Sequence, residues 1–191
     1  MKKIVLVPLK MSDDMKKRNY PVDGNSFIEY EKKVYYAINA VLAKTLKSDD
    51  DVKIILLETN AGEKAGVKNA KIDYEIIPSD FITSKEKSNE LYVKLLKNLE
   101  YEAEIYADIT FGPKTLTMLI TAAMQFGEKF FDCSIGNVIY LKAEWKDNKI
   151  IDGTQLICDY TPLYLLNSFT NTMESTSGEK AIKAIETLFE D

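Results

Sequence analysis

The stretch that decides the fold is residues 103–124, which read AEIYADITFGPKTLTMLITAAM. Its first part, residues 103–109, is a short apolar run typical of a strand in a parallel sheet. Residues 110–115 read TFGPKT, and Pro113 suits the first turn of a helix, where no amide hydrogen is needed. The segment therefore predicts a strand, a tight turn and a helix. The apolar face of that helix is marked by Leu116, Leu119, Ile120, Ala123 and Met124.

Further short apolar runs precede this segment and have the same character. Residues 4–7 and 52–57 consist mainly of isoleucine, leucine and valine, and residues 74–77 read YEII and are followed by Pro78. Runs of this kind predict strands that are buried on both faces of a sheet. Together with residues 103–109 they predict four strands of a mainly parallel sheet.

Helices are predicted between these strands from capping-box pairs and from apolar residues at helical spacing. One helix should begin at the pair Ser26 and Glu29 and end near Lys47. A second should follow the pair Thr83 and Glu86. The alternation of strands and helices favours an α/β fold with three layers.

The remainder of the chain differs in character. Residues 137–145 and 149–159 read as two strands of a hairpin, joined by the turn residues Asp147 and Asn148. Two helices are predicted after them, one beginning at Pro162. The whole pattern predicts a three-layer Rossmann-like fold with a mainly parallel sheet, a β-hairpin after the helix that follows residue 113, and C-terminal helices. We expect one domain over residues 1–159, with a helical extension over residues 160–191 packed on it.

Composition restricts the chemistry that this fold could perform. The chain contains no histidine, which excludes Ser-His-Asp and Cys-His catalysis and the usual zinc sites. The net charge is −5 and the isoelectric point is near 5.0, which argues against binding to long DNA or RNA. Arg18 is the single arginine, so lysines must supply contacts to an anionic ligand.

Cellular context can also be predicted from the sequence. No apolar stretch is long enough to span a bilayer, and the N-terminal residues do not resemble a signal peptide. Cys133 and Cys158 are too few for a disulfide framework and read as core thiols. We therefore expect a soluble cytoplasmic protein that makes no contact with membranes.

A ligand site is predicted at one edge of the sheet. In open α/β sheets, ligands bind beyond the carboxyl ends of the strands. The loops at that edge are residues 9–14, 58–62 and 110–115. The last of these leads into a helix, whose N-terminal amides and dipole favour an anion. An ordinary turn with a solvated Lys114 is the alternative interpretation.

The sequence also excludes two common nucleotide-binding motifs. Pro113 interrupts the Gly-Lys-Thr of a Walker A loop, and no Gly-x-Gly-x-x-Gly follows the first strand. The sequence Asp-x-Thr-x-Gly-x-Lys at residues 108–114 instead resembles the signature of CRISPR-associated Rossmann-fold (CARF) domains, nearest the branch with Asp-x-Thr-His-Gly. Phe111 departs from that branch, which has histidine there, and Pro113 departs from other CARF domains, which often have threonine.

The resemblance implies a homodimer that binds a cyclic oligoadenylate, the second messenger of type III CRISPR immunity. Because the chain has no histidine for the common HEPN ribonuclease effector and only 32 residues after Asp159, we expect a stand-alone CARF protein. Thr110, Gly112 and Lys114 match the motif that contacts phosphate and ribose, and Lys10 and Ser12 lie in the matching loop after the first strand. With their neighbours at the sheet edge, the candidate ligand-binding residues are Lys10, Ser12, Thr59, Asn60, Thr110, Phe111, Gly112, Pro113, Lys114 and Thr115.

Some stand-alone CARF proteins are ring nucleases, which cut the messenger. Without histidine, a ribose 2′-OH could attack the adjacent phosphate and leave a 2′,3′-cyclic phosphate, with no metal and no cofactor. Lys114, Ser12 and Thr110 are the candidate catalytic residues. Because the sequence offers no general base with a neutral pKa, we expect slow turnover.

Other interpretations remain open at this point. The protein could bind the messenger without cutting it, as a sensor or sponge for a separate effector, or be an unrelated nucleotide-binding α/β protein. It could also be a metal-dependent nuclease that uses Glu144 and Lys146 with Asp132. A further hypothesis is that a loop closes over the ligand as a lid. The residues of that loop are Lys10, Lys16, Lys17, Arg18 and Tyr20.

Overall fold

The computed structural model describes residues 1–9, 16–58, 73–78, 85–147, 149–175 and 177–189. The chain divides into two compact units, Met1–Thr161 and Pro162–Asp191. The strands are β1 (Lys2–Leu9), β2 (Arg18–Tyr20), β3 (Val22–Asp23), β4 (Tyr30–Val34), β5 (Asp51–Glu58), β6 (Asp73–Pro78), β7 (Glu104–Asp108), β8 (Ser134–Lys142), β9 (Trp145–Lys146), β10 (Lys149–Ile150) and β11 (Leu156–Asp159). The α-helices are α1 (Ala37–Thr45), α2 (Lys85–Leu96), α3 (Lys114–Phe130), α4 (Thr161–Thr172) and α5 (Gly178–Leu188).

The first unit is built on a seven-stranded sheet with the order β3-β11-β8-β7-β1-β5-β6. Strands β8, β7, β1, β5 and β6 pair in parallel, and β11 pairs antiparallel with β8. The predicted α/β fold with a mainly parallel sheet is therefore confirmed. The predicted hairpin is present as the antiparallel pair of β8 and β11. Its second strand, predicted as continuous over residues 149–159, is divided into β10 and β11, and the residues that flank the predicted turn pair in a small second hairpin of β9 and β10.

Helices cover both faces of this sheet. Val5 and Val7 of β1 belong to a buried cluster with Tyr106 of β7 and the buried residues of α1. Because side chains alternate along a strand, Ile105 points to the opposite face. There Gly127 of α3 approaches so closely that a Cβ would lie 3.1 Å from the Ile105 Cδ1. The three predicted layers are thus formed by α1, the sheet, and the layer containing α3.

The helix predicted from Ser26 to Lys47 is wrong over its first half. Residues Ser26–Ile28 form a single 3-10 turn, capped by Asn25 rather than Ser26, and β4 follows it. The regular helix begins only at Ala37. Strand β4 pairs antiparallel with β2, and this pairing across the chain replaces the expected helical turns.

The second unit contains most of α4 and the whole of α5. Helix α4 begins at Thr161, in agreement with the helix predicted to start at Pro162. The Ser177 side chain caps α5 by accepting a hydrogen bond from the Lys180 amide. Among the described helices, none is both long and apolar enough to cross a membrane. The packing of this unit on the first stays a prediction.

Candidate ligand site at the end of β7

The site begins where β7 ends. Asp108 is the last residue of β7, and α3 begins at Lys114, so the turn between them has five residues. Gly112 has a φ of 94°, a backbone conformation that glycine adopts without the steric cost a Cβ would bring. Pro113 lies at the cap, immediately before the helix. The sequence therefore folds locally as predicted, except that Pro113 precedes the helical residues.

Asp108 stabilises the turn by a hydrogen bond. Its carboxylate is 3% exposed and accepts a hydrogen bond of 2.9 Å from the Thr110 amide. Burial raises the pKa of Asp108 to about 6, although hydrogen bonds from the Thr110 side chain and amide oppose the shift. Because this carboxylate is buried and hydrogen-bonded to Thr110, we assign it a role in stabilising the turn and not in contacting a ligand.

Thr110 connects the turn to the neighbouring strand. Its hydroxyl accepts a hydrogen bond of 2.8 Å from the Leu141 amide of β8. The adjacent Ile109 amide donates to the Ile139 carbonyl at 2.9 Å. The hydroxyl thus takes the place that a backbone carbonyl would occupy at the next step of the ladder. In this position Thr110 holds the turn against β8.

A pocket of about 280 Å³ lies beside the turn. Aromatic rings form much of its wall, and the Phe111 and Trp145 ring centroids lie 6.0 Å apart at 79°. Tyr140 and Trp145 are 37% and 39% exposed. The pocket is lined by Thr110, Phe111, Gly112, Tyr140, Leu141 and Trp145.

A second set of contacts supports Tyr140. The rings of Tyr140 and Tyr160 stack with centroids 5.7 Å apart and an interplanar angle of 10°. The Tyr160 amide donates to the Val138 carbonyl at 2.7 Å. Asp159 accepts hydrogen bonds from the Thr161 amide and hydroxyl, and that hydroxyl accepts one from the Val138 amide. This arrangement repeats, on the other side of β8, the one made by Asp108 and Thr110.

The positive charge at the turn comes from Lys114. Its side chain is exposed and makes no hydrogen bond or ion pair with another described residue. It stands at the start of α3, where the dipole of a helix of 17 residues favours an anion. The geometry therefore offers a cationic group and a helix N-terminus next to an aromatic pocket.

The ten predicted ligand residues fall into three groups. Thr110, Phe111 and Gly112 line the pocket, and Pro113, Lys114 and Thr115 form the start of α3. Lys10, Ser12, Thr59 and Asn60 lie outside the described residues, so the site assignments for these four stay predictions.

The structure restricts the lid hypothesis for residues 16–20. Arg18 is 5% exposed, and its Nε donates to the Asp152 carboxylate at 2.9 Å. Lys16 also pairs with Asp152. The Tyr20 hydroxyl donates to the Tyr35 carbonyl at 2.8 Å. Arg18 and Tyr20 are therefore part of the packed fold, whereas Lys16 and Lys17 are exposed and Lys10 lies outside the described residues. The one Asp152 carboxylate is shared by Lys16 and Arg18.

The nuclease hypothesis finds little support in the geometry. Asp132 precedes β8 and Glu144 follows it. A strand of nine residues separates these carboxylates by roughly 30 Å, at about 3.3 Å per residue. Among the described residues, no group of three or more cysteine, aspartate or glutamate side chains could hold a metal ion.

Sequence reasoning predicts Phe111 but misses the other two aromatic residues of the pocket, Tyr140 and Trp145. It places Tyr140 only within a strand, and Trp145 only as a neighbour of Glu144 and Lys146. The one available signal is a set of large aromatic side chains at the exposed end of a predicted strand. No protein-family model and no curated protein matches the chain. The functional conclusion therefore depends on the geometry of the site and on the resemblance of residues 108–114.

Proposed function

We propose that the protein binds a cyclic oligoadenylate, as a homodimer with the ligand across its two-fold axis. The observation that carries this proposal is the juxtaposition of Lys114, the N-terminus of α3 and the aromatic pocket at one edge of the sheet. A nucleotide presents both chemistries that such a site can recognise, an anionic phosphate and a flat aromatic base.

The phosphate would lie at the start of α3. Backbone amides in the first turn of a helix have no intrahelical acceptor, so they can donate to phosphate oxygens. Lys114 adds a charge there, and a charged hydrogen bond is roughly twice as strong as a neutral one. Thr110 has a positioning role in this proposal, because its hydroxyl is already bonded to β8.

Binding is favoured over cleavage as the main activity. In-line attack by a ribose 2′-OH needs orientation and charge stabilisation, which Lys114 and the helix N-terminus could supply. A general base would accelerate the step, but Asp108 is buried and bonded to Thr110. We therefore propose slow, metal-independent cleavage only as a second activity, with Lys114 as the residue that contacts the phosphate.

The direct test is incubation with cyclic tri-, tetra- and hexa-adenylate in the absence of metal. A thermal shift reports binding, chromatography of the products reports cleavage, and light scattering reports the dimer. We expect one ring size to raise the melting temperature. A protein that responds to none of the rings but does respond to a mononucleotide would support the unrelated nucleotide-binding alternative.

A pair of variants tests the role of Lys114. Lys114→Ala should lower ligand affinity by about tenfold or more, the scale of a charged hydrogen bond. Lys129→Ala is the matched control, since Lys129 is an exposed lysine in the last turn of the same helix. Equal affinity of the two variants would remove the proposed site even if the wild-type protein binds the ligand.

A further inference from the structure

We propose that the pocket of Phe111, Tyr140 and Trp145 binds the nucleobase of the ligand by stacking. This inference rests on the proposed function in taking a nucleotide to be the ligand, and it adds the position of the base. Neither Tyr140 nor Trp145 belongs to the motif that carries the family resemblance. The assignment therefore depends on the geometry of the pocket.

The arrangement of the rings suits a flat group. Phe111 and Trp145 meet nearly at right angles, the edge-to-face geometry that aromatic pairs prefer. The two rings thus form adjoining walls and do not stack on each other. Both Tyr140 and Trp145 line the pocket, and each remains more than one third exposed. Bases stack on such side chains with little dependence on sequence.

The size and charge of the surroundings agree with one base and one phosphate. A volume of about 280 Å³ is at the low end for small-molecule pockets, which fits a single ring system better than an entire cyclic oligonucleotide. Gly112 lines the same pocket and is two residues from Lys114. A base in the pocket would therefore leave its phosphate near the start of α3.

Tyr160 acts as a positioning residue for this pocket. Its ring stacks on Tyr140, and its amide is bonded to Val138. Asp159 and Thr161 fix the backbone on either side of it. With its rotation restricted by this stack, the Tyr140 ring is held in place before the ligand arrives, so less conformational entropy is lost on binding.

The single tryptophan of the chain gives a direct test. Trp145 fluorescence, excited selectively, reports on the pocket alone. Adenosine monophosphate and the cyclic adenylates should change this fluorescence in a saturable way. Inorganic phosphate and ribose 5-phosphate, which carry no base, should leave it unchanged. A response to inorganic phosphate equal to that of adenosine monophosphate would overturn the inference.

Variants provide a second readout by calorimetry. Trp145→Ala should lower the affinity for adenosine monophosphate by about tenfold, the scale of one stacked base, whereas Trp145→Phe should keep most of it. Phe27→Ala is the control, since Phe27 is 86% exposed and outside the pocket. If Trp145→Ala fails to fold, Trp145→Phe and the wild-type fluorescence titration still decide the question.

The positioning role is tested at Tyr160. Tyr160→Leu should weaken binding of adenosine monophosphate several-fold and leave the weak binding of inorganic phosphate unchanged, while Tyr160→Phe should restore the wild-type value. Equal weakening for both ligands would indicate a general structural effect and contradict the role.

Failure of this inference can be distinguished from failure of the proposed function. If a cyclic adenylate stabilises the protein while Trp145 fluorescence and the Trp145→Ala affinity are unchanged, the function stands and the base pocket is wrong. If adenosine monophosphate quenches Trp145 and no cyclic adenylate binds, the pocket stands and the cyclic ligand is wrong.

Discussion

The same tripeptide pattern, Asp-x-Thr, ends the strands on both sides of β8, and the copy at the end of β7 lies beside the aromatic pocket. At the end of β7, Asp108 accepts from the Thr110 amide, and the Thr110 hydroxyl accepts from Leu141. At the end of β11, Asp159 accepts from Thr161, and the Thr161 hydroxyl accepts from Val138. Each turn thus extends the ladder of β8 by one hydroxyl.

The two turns differ in how the chain continues after the threonine. Helix α4 begins at Thr161 itself, so the second turn leads directly into a helix. In the first turn, Phe111, Gly112 and Pro113 separate Thr110 from the start of α3. The positive φ of Gly112 turns the backbone at this point, and Phe111 and Gly112 line the pocket.

The comparison separates a structural part of the motif from a functional part. Since Asp-x-Thr recurs at residues 159–161 with the same hydrogen bonds, this half of the signature is explained by the ending of a strand. Phe111, Gly112 and Lys114 have no counterpart in that recurrence. Under our proposal, the residues that contact the ligand are therefore those after Thr110.

The largest expected effect concerns the burial of Asp108. Its folded-state pKa of about 6 lies above the usual value of 3.8, so ionisation opposes folding. The penalty is absent below about pH 3, grows as pH rises, and is complete near pH 7. Relative to Asp108→Asn, the wild-type protein should gain about 3 kcal/mol of unfolding free energy between pH 7 and pH 3. Denaturant unfolding at several pH values measures this difference, and a constant difference would contradict the burial argument.

An intermediate effect tests whether the two turns are equivalent. Thr110→Val and Thr161→Val each remove the acceptor of a β8 amide while keeping the shape of the side chain. Each should cost about 1–3 kcal/mol, the usual penalty for an unsatisfied buried donor. Thr→Ser at each position should recover most of the loss. A cost at only one position, measured by urea unfolding, would show that the turns are not equivalent.

The smallest effect separates backbone strain from ligand binding. Gly112 and Gly153 have φ angles of 94° and 87°, so alanine at either position should cost about 1 kcal/mol of stability. At Gly153 no atom lies within 4 Å of an added Cβ. We expect both variants to melt at similarly lowered temperatures, with only Gly112→Ala losing ligand affinity. If both variants lose ligand affinity, the loss results from lower protein stability and not from a role of Gly112 in the site.

The parallel strands β1, β5, β6 and β7 could be predicted because each lies in a short, mainly apolar run. The error at residues 29–36 has a physical cause. Tyr30 and Val34 are four residues apart, a spacing that places two side chains on one face of either a helix or a strand. The pairing of β4 with β2 decides between them, and this pairing is a contact across the chain that leaves no local signal.

In the candidate site, too, features set by neighbouring residues in the sequence could be predicted, and features set by contacts between distant residues could not. The turn of residues 110–115 could be predicted because strand, glycine, proline and helix follow one another in the sequence. The aromatic wall could not, because Tyr140 and Trp145 reach the pocket only through the pairing of β8 with β7. Nor could the sequence reveal that the Thr110 hydroxyl is bonded to Leu141.

The burial of Arg18 has a consequence for how the protein could distinguish one anion from another. With the single guanidinium held by Asp152, the cations left for a ligand are ammonium groups, which attract charge but impose little direction on it. Lysine at the turn would then govern how tightly and how salt-dependently an anion is held. The shape of the aromatic walls would then determine which of several ligands of equal charge binds.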